Sequence, residues 1–351
     1  MAKKEEQAEP RTLPSPRLLP WHSEAIAQLK HAWTANRLPH AILVQGAEGL
    51  GTGSFAAWLS AAVLCEKSVD GVLDVCGACV SCALIKAGTH PDLHWIAPEE
   101  DKTQLSVDLV RAGCEKLAKT SFRQGYKVAI IEPAHQMTPG AANSVLKTLE
   151  EPSKGSLLVL LTSRPSGLLP TVRSRCQKLT IARPSTAEAM AWLQKEAGKT
   201  VAPALLEFAG GAPLKALEYA DGRFDELSQH IQKSLRDLFA GDTDVTQVAA
   251  EWGNDALIDR LIWLDLWLSA LARTGIAGTD DRVTFPGGPA HLPSPSRPLN
   301  ISALYSMVDR TRALKAQLAR TALQRELAVE SWLIALLEAL APSKAPVARA
   351  S

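Results

Sequence analysis

Four cysteines fall within eighteen residues: Cys65, then Cys76, Cys79 and Cys82 with two residues between each pair. Four thiolates make a closed tetrahedral shell, the arrangement a structural zinc ion takes, and leave no coordination position for a reacting water. The small residues Gly77, Ala78, Val80 and Ser81 allow the loop to wrap an ion tightly. An iron–sulfur cluster would call for a fourth cysteine where Lys86 stands. Cys65, at the end of a helical run, competes with His90 for the fourth ligand position. His90 in turn reads equally as a structural residue of the turn Gly88-Thr89-His90-Pro91-Asp92.

A second constellation is Gly46-Ala47-Glu48-Gly49-Leu50-Gly51-Thr52-Gly53. A phosphate-binding loop needs two glycines five apart so that backbone N–H groups can wrap phosphates, then a lysine for the β/γ-phosphates and a hydroxyl for Mg²⁺. Gly46 and Gly51 have that spacing, but Thr52 stands at the lysine and Gly53 at the hydroxyl. Glu132 ends an apolar run where a magnesium-binding acid would sit. Pro133 follows in place of the carboxylate that orients an attacking water. These residues suggest a nucleotide-type fold that binds no ATP; an ordinary Gly-rich turn between strand and helix, and a strand ending in a turn at Pro133, are the alternative readings. Farther on, Ser174-Arg175-Cys176 offers Arg175 as a cation able to reach developing phosphate charge. Read alone, it is equally an ordinary surface arginine.

The elements that must position these groups are legible as alternating patterns. Apolar runs at 41–44, 92–97, 127–132 and 157–161 read as strands, separated by helical patterns at 54–64, 107–118 and 140–149. Strands alternating with helices predict a parallel sheet covered on both faces. Before them, Ile26, Leu29 and Trp33 mark an amphipathic helix. Beyond Pro184 the pattern turns helical, broken by a Gly- and Pro-rich stretch at 275–298 that predicts a long loop. The balance of 38 basic and 37 acidic residues gives no global attraction to polyanions. Residues 1–16 are polar, with no signal-peptide pattern, and no apolar window suits a membrane span. With clustered thiols and no secretion signal, the reading is a cytoplasmic protein.

Taken in order, Gly46…Gly51, the four cysteines, Gly88-Thr89-His90-Pro91-Asp92, the run Ala142-Asn143-Ser144-Val145-Leu146-Lys147-Thr148-Leu149-Glu150-Glu151-Pro152 and Ser174-Arg175-Cys176 closely resemble the bacterial clamp-loader AAA+ subunits. The resemblance spans roughly residues 18–220. It implies a disordered tail at 1–16 and a RecA-like α/β AAA+ domain at 17–184 with a zinc module inserted at 65–82. A helical lid at 185–222, an all-α collar at 223–342 for oligomerisation and a tail at 343–351 would follow. It further implies the stator of the loader, a subunit of the DNA polymerase III holoenzyme, a nucleotidyltransferase, with no ATPase activity of its own. Leu214 stands where ATPase relatives carry a sensor arginine. Arg175, beside Ser174, would act in trans on the ATP of a gamma/tau neighbour, within a hetero-pentamer that includes delta, the sliding clamp and primed DNA. Arg111, Lys116, Lys119 and Arg123 would offer sequence-blind contacts to the duplex, although the interleaved Asp108 and Glu115 suit a solvated face equally. Two other readings are an active AAA+ ATPase and a zinc-dependent nucleic-acid-binding protein. Against the second, Ala78, Val80 and Ser81 are neither basic nor aromatic.

Overall fold

The computed structural model describes residues 14–67, 72–99, 102–123, 125–253, 256–277, 284–285, 288–289, 300–318 and 324–340. The chain divides into two compact units between Ser185 and Thr186. Most of the expected amino-terminal tail, 1–13, and all of the expected carboxyl-terminal tail, 343–351, lie outside the described residues.

The first unit opens with helix α1 (Ser23–Thr34) and then alternates: β1 (Ala41–Gln45), α2 (Thr52–Leu64), α3 (Val80–Lys86), β2 (Leu93–Ile96), α4 (Val107–Ala118), β3 (Lys127–Ile131), α5 (Pro139–Glu150), β4 (Ser156–Thr162), α6 (Pro170–Arg173) and β5 (Gln177–Thr180). The five strands form one sheet in the order β2-β3-β4-β1-β5, and every pairing is parallel. Ala41 faces Leu158 across β1 and β4, and Lys127 faces Ser156 across β3 and β4. Strands β3 and β4 are buried along their whole length, as the unbroken apolar runs require of a sheet covered on both sides. One face packs Leu43, Ala129, Ile131, Leu158 and Leu160 against Val110, Cys114 and Leu117 of α4 and Ala142, Val145 and Leu149 of α5. Helix α2 packs against β1, β3 and β4 and is buried continuously from Phe55 to Leu64, which is why its sequence shows no polar stripe.

Strand β5 has no counterpart in the sequence reading. Its residues Gln177, Lys178 and Thr180 are exposed and only Leu179 is buried, so an edge strand with one inward side chain carries almost no apolar alternation. The strand order reverses about β1. The carboxyl ends of β1 and β4 therefore flank the crevice where open parallel sheets take ligands.

Among the described residues, the second unit is helical apart from one short antiparallel strand pair. Helices α7 (Thr186–Ala197), α8 (Pro203–Phe208) and α9 (Pro213–Glu218) pack together and are followed by α10 (Arg223–Ala240), α11 (Val245–Trp252), α12 (Leu257–Ala277), α13 (Ile301–Leu318) and α14 (Arg325–Leu340). Helix α12 packs on α13 and α11 on α14. The indole of Trp263 donates to Ser228 Oγ at 3.1 Å and that of Trp332 to Thr311 Oγ1 at 2.9 Å, so these buried N–H groups are satisfied. Of the long loop expected at 275–298, only 275–277, 284–285 and 288–289 are described. Helix α12 runs through Ala277, and β6 (Thr284–Phe285) pairs antiparallel with β7 (Gly288–Pro289). The rest of that stretch lies outside the described residues.

Candidate metal centre and nucleotide-type crevice

The connection from α2 to α3 brings Cys65, Cys76, Cys79 and Cys82 together, with all four sulfurs within 4.8 Å of one another. Cys65 caps the carboxyl end of α2, and Cys79 is the N-cap of α3. Sulfur separations are 4.0 Å for Cys65–Cys79, 3.9 Å for Cys76–Cys82 and 3.9 Å for Cys82–Cys65. A tetrahedral ion with metal–sulfur bonds of about 2.3 Å requires sulfur–sulfur edges of about 3.8 Å. The donor set therefore fits a tetrahedral metal ion, with Cys65 as the fourth ligand. His90 is not among the donors, because its Nε2 lies 3.1 Å from Ser81 Oγ and its Nδ1 accepts the Asp92 N–H at 3.1 Å.

The local electrostatics favour thiolates at two positions. The Ala78 N–H, donated to Cys76 Sγ at 3.5 Å, leads in lowering that thiol to about 6. Burial opposes ionisation of Cys79, yet the Cys82 N–H at 3.4 Å, with others, keeps its thiol below the ordinary range. Burial raises Cys65 and pushes Cys82 up to about 12. A cation among the four would reverse that penalty, since coordination deprotonates a thiol outright.

At the carboxyl end of β1 the turn Gly46–Gly51 leads into α2, with Gly51 at φ 78°, a left-handed conformation that favours glycine. The methyl of Thr52 lies against Gly46, so that a Cβ on Gly46 would stand 2.7 Å from Thr52 Cγ2. Gly53 faces the Glu132 carboxylate: a Cβ there would be 3.3 Å from Glu132 Oε1 and 3.4 Å from Pro14 Cγ. Pro14 is half-buried and packs beside the first turn of α2. Glu132 follows β3 and accepts the Trp95 indole N–H at 3.1 Å, and Pro133 comes next. The turn is braced from the entry to α1, where Trp21 Nε1 and His22 Nε2 both lie 2.9 Å from the Leu50 carbonyl oxygen. The Leu19 N–H reaches His22 Nδ1 at 3.3 Å, which fixes the neutral tautomer, and burial lowers the pKa of this histidine. No motif signalled this brace. A Pro-Trp-His start to a helix reads from sequence only as a helix beginning.

Arg175 lies two residues past the end of α6 rather than on the helix. Its Nη2 pairs with Glu150 Oε1 at 2.8 Å, and Nη1 donates to the Thr171 carbonyl at 3.1 Å. Glu150 is the last residue of α5, so the run ending Glu150-Glu151-Pro152 and the Ser174-Arg175-Cys176 tripeptide meet here. Both partners are 39% or more exposed, so the ion pair contributes little to stability. Ser174 Oγ donates to the Thr171 carbonyl at 3.1 Å and stays exposed. Of the four cations expected to meet a duplex, Arg111 pairs with Asp108 and Arg123 with Glu66, whereas Lys116 and Lys119 are exposed on and just past α4.

The family model for the DNA polymerase III delta subunit matches residues 21–185, the first unit. The DNA polymerase III subunit delta' of Escherichia coli K12 is 32% identical over 329 residues, covering 93% of this chain and 97% of its own. That of Pseudomonas aeruginosa is 32% identical over 73% of this chain and 77% of its own, and that of Bacillus subtilis 42% identical over 41% and 42%. Among solved structures, a DNA polymerase III gamma-subunit-related protein of Thermotoga maritima aligns with 90% of this chain and 99% of its own. Its TM-score of 0.42 and identity of 18% are too low to bear on function. Identity at this level across nearly the whole length of both chains establishes that this chain belongs to the DNA polymerase III subunit delta' family.

Proposed function

We propose that this chain is the non-hydrolysing stator of a bacterial clamp loader, which takes part in placing the sliding clamp on primed DNA in the cytoplasm. The observation that carries the reading is the pair Thr52 and Gly53 at the start of α2. There a methyl lies where a lysine should reach phosphates, and a bare Cα faces Glu132 where a hydroxyl should hold Mg²⁺. Pro133 and Leu214 remove two further groups that hydrolysis needs. Three substitutions about one crevice, together with Leu214 in the second unit, also speak against the active-ATPase alternative.

The chemistry that remains is Arg175. Held loosely by Glu150 at the surface, it is suited to enter the ATP site of an adjoining gamma/tau subunit and stabilise charge on the γ-phosphate during transfer to water. Helices α7–α9 serve as the lid, and the helices from α10 to α14 as the collar that joins delta and the motor subunits in a hetero-pentamer. The four thiolates hold zinc in a structural role. Lys116 and Lys119 offer phosphate contacts to the duplex that carry no sequence information. Calorimetric titration of the purified chain with Mg-ATP tests the stator reading. No heat of binding is expected at millimolar nucleotide, and a tight site would contradict the proposal.

A further inference from the structure

The turn Gly88-Thr89-His90-Pro91-Asp92 takes no part in the function proposed above, yet it sits in a closed ring of hydrogen bonds. Ser81 Oγ donates to Glu66 Oε1 at 2.8 Å, and Arg123 Nε donates to the same oxygen at 2.8 Å. The Arg123 N–H donates to Asp92 Oδ2 at 3.1 Å, the Asp92 N–H reaches His90 Nδ1 at 3.1 Å, and His90 Nε2 returns to Ser81 Oγ at 3.1 Å. Asp92 is 2% exposed, and its carboxylate also takes the Phe122 N–H at 2.8 Å and the Ser121 hydroxyl at 3.3 Å. One buried carboxylate thus holds the Ser121 hydroxyl and the backbone N–H groups of Phe122 and Arg123. That loop displays Phe122, at 78% exposure the most exposed large apolar side chain among the described residues.

Two members of the ring are chain neighbours of thiols in the cluster: Glu66 follows Cys65, and Ser81 precedes Cys82. We infer that the metal centre positions the Phe122 loop. Binding of the ion fixes Cys65 and Cys82, which sets Glu66 and Ser81, and these set Arg123, His90 and through them the Asp92 cradle. The module then acts on the surface of the sheet domain as well as on its own fold. Two routes join the module to the loop: Glu66, which bonds Ser81 and Arg123 directly, and His90, which links Ser81 to Asp92 and its cradle. The inference rests on the four thiols holding a metal ion.

Amide hydrogen exchange on the full chain tests it, with zinc content assayed on each sample. On removal of zinc by a chelator, the amides of Phe122 and Arg123 are expected to lose protection by about tenfold or more, while those of β4 keep theirs. Unchanged exchange at both amides after zinc loss would overturn the inference. Should chelation unfold the whole unit, the double variant Glu66→Ala with His90→Ala, which cuts both routes, decides: with one zinc still bound, faster exchange at Phe122 and Arg123 supports the coupling and unchanged exchange contradicts it. A purified chain without metal, yet with the loop protected, would instead remove the premise about the thiols.

Discussion

The Glu132 carboxylate faces Gly53 so closely that a Cβ on the glycine would stand 3.3 Å from Oε1. In a working phosphate-binding loop a hydroxyl on the helix and an acid on the strand share a magnesium ion. Here the acid is present, the hydroxyl is missing, and the acid is occupied by the Trp95 indole. If the missing lysine and hydroxyl are the defect, Thr52→Lys with Gly53→Ser should create Mg-ATP binding with a Kd below about 1 mM, worth about 4 kcal/mol. Calorimetry on the double variant checks this. Absence of any binding would move the defect elsewhere in the crevice.

Gly46 is required by contact, since a Cβ there would meet Thr52 Cγ2 at 2.7 Å and Ile181 Cβ at 3.2 Å. Gly46→Ala should destabilise the protein by about 1–3 kcal/mol in urea unfolding through overpacking. Combining it with Thr52→Ser, which deletes the offending methyl, should recover part of the loss. Additive costs in the double variant would show that the two positions do not interact.

His22 gives the fold a pH dependence of known sign. Burial lowers its folded pKa, so below about pH 6.5 the unfolded chain takes up a proton that the folded chain refuses. Stability is therefore intact above that pH and lost as pH falls through it, by up to about 1.4 kcal/mol per pH unit. His90, His135 and His94, the last lowered to about 4, are displaced in the same direction, each first by burial. Urea midpoints at pH 8 and pH 5.5 measure the drop. His22→Gln should be less stable at pH 8, having lost its bonds to Leu19 and Leu50, and should show a shallower fall.

Metal removal should lower the thermal midpoint of the first unit. The purified chain should contain about one zinc, and Cys79→Ser should abolish it, because that thiolate both ligates and caps α3. Metal analysis beside a thermal melt decides. Full stability without metal would make the thiols an apolar cluster.

How far the sequence disclosed this architecture depended on what each residue had to satisfy. The buried runs 127–131 and 156–162 are continuous because both sheet faces are covered, and the helix at 107–118 begins at Ser106, whose side chain accepts the Leu109 N–H. Such elements announce themselves. The four thiols were legible as a cluster too, because their close spacing in sequence brings the sulfurs within 4.8 Å of one another between α2 and α3. Strand β5 did not, because an exposed edge needs no apolar pattern. Neither the Leu50 brace nor the Asp92 cradle was legible, because each joins residues twenty-eight to thirty-one apart through backbone groups that a residue of any type supplies. Arg175 could be named from the sequence, but its partner Glu150 emerged only when α5 and the residues after α6 were brought together.

The most direct test of the account is steady-state ATP hydrolysis by a reconstituted loader in which only the motor subunit adjoining this chain keeps its P-loop lysine. With Arg175→Ala in this chain, DNA-stimulated hydrolysis at that site should fall by about 10³-fold while assembly and zinc content stay unchanged. Hydrolysis at the wild-type rate in an intact complex would contradict the claim that this chain contributes its arginine to a neighbour's chemistry.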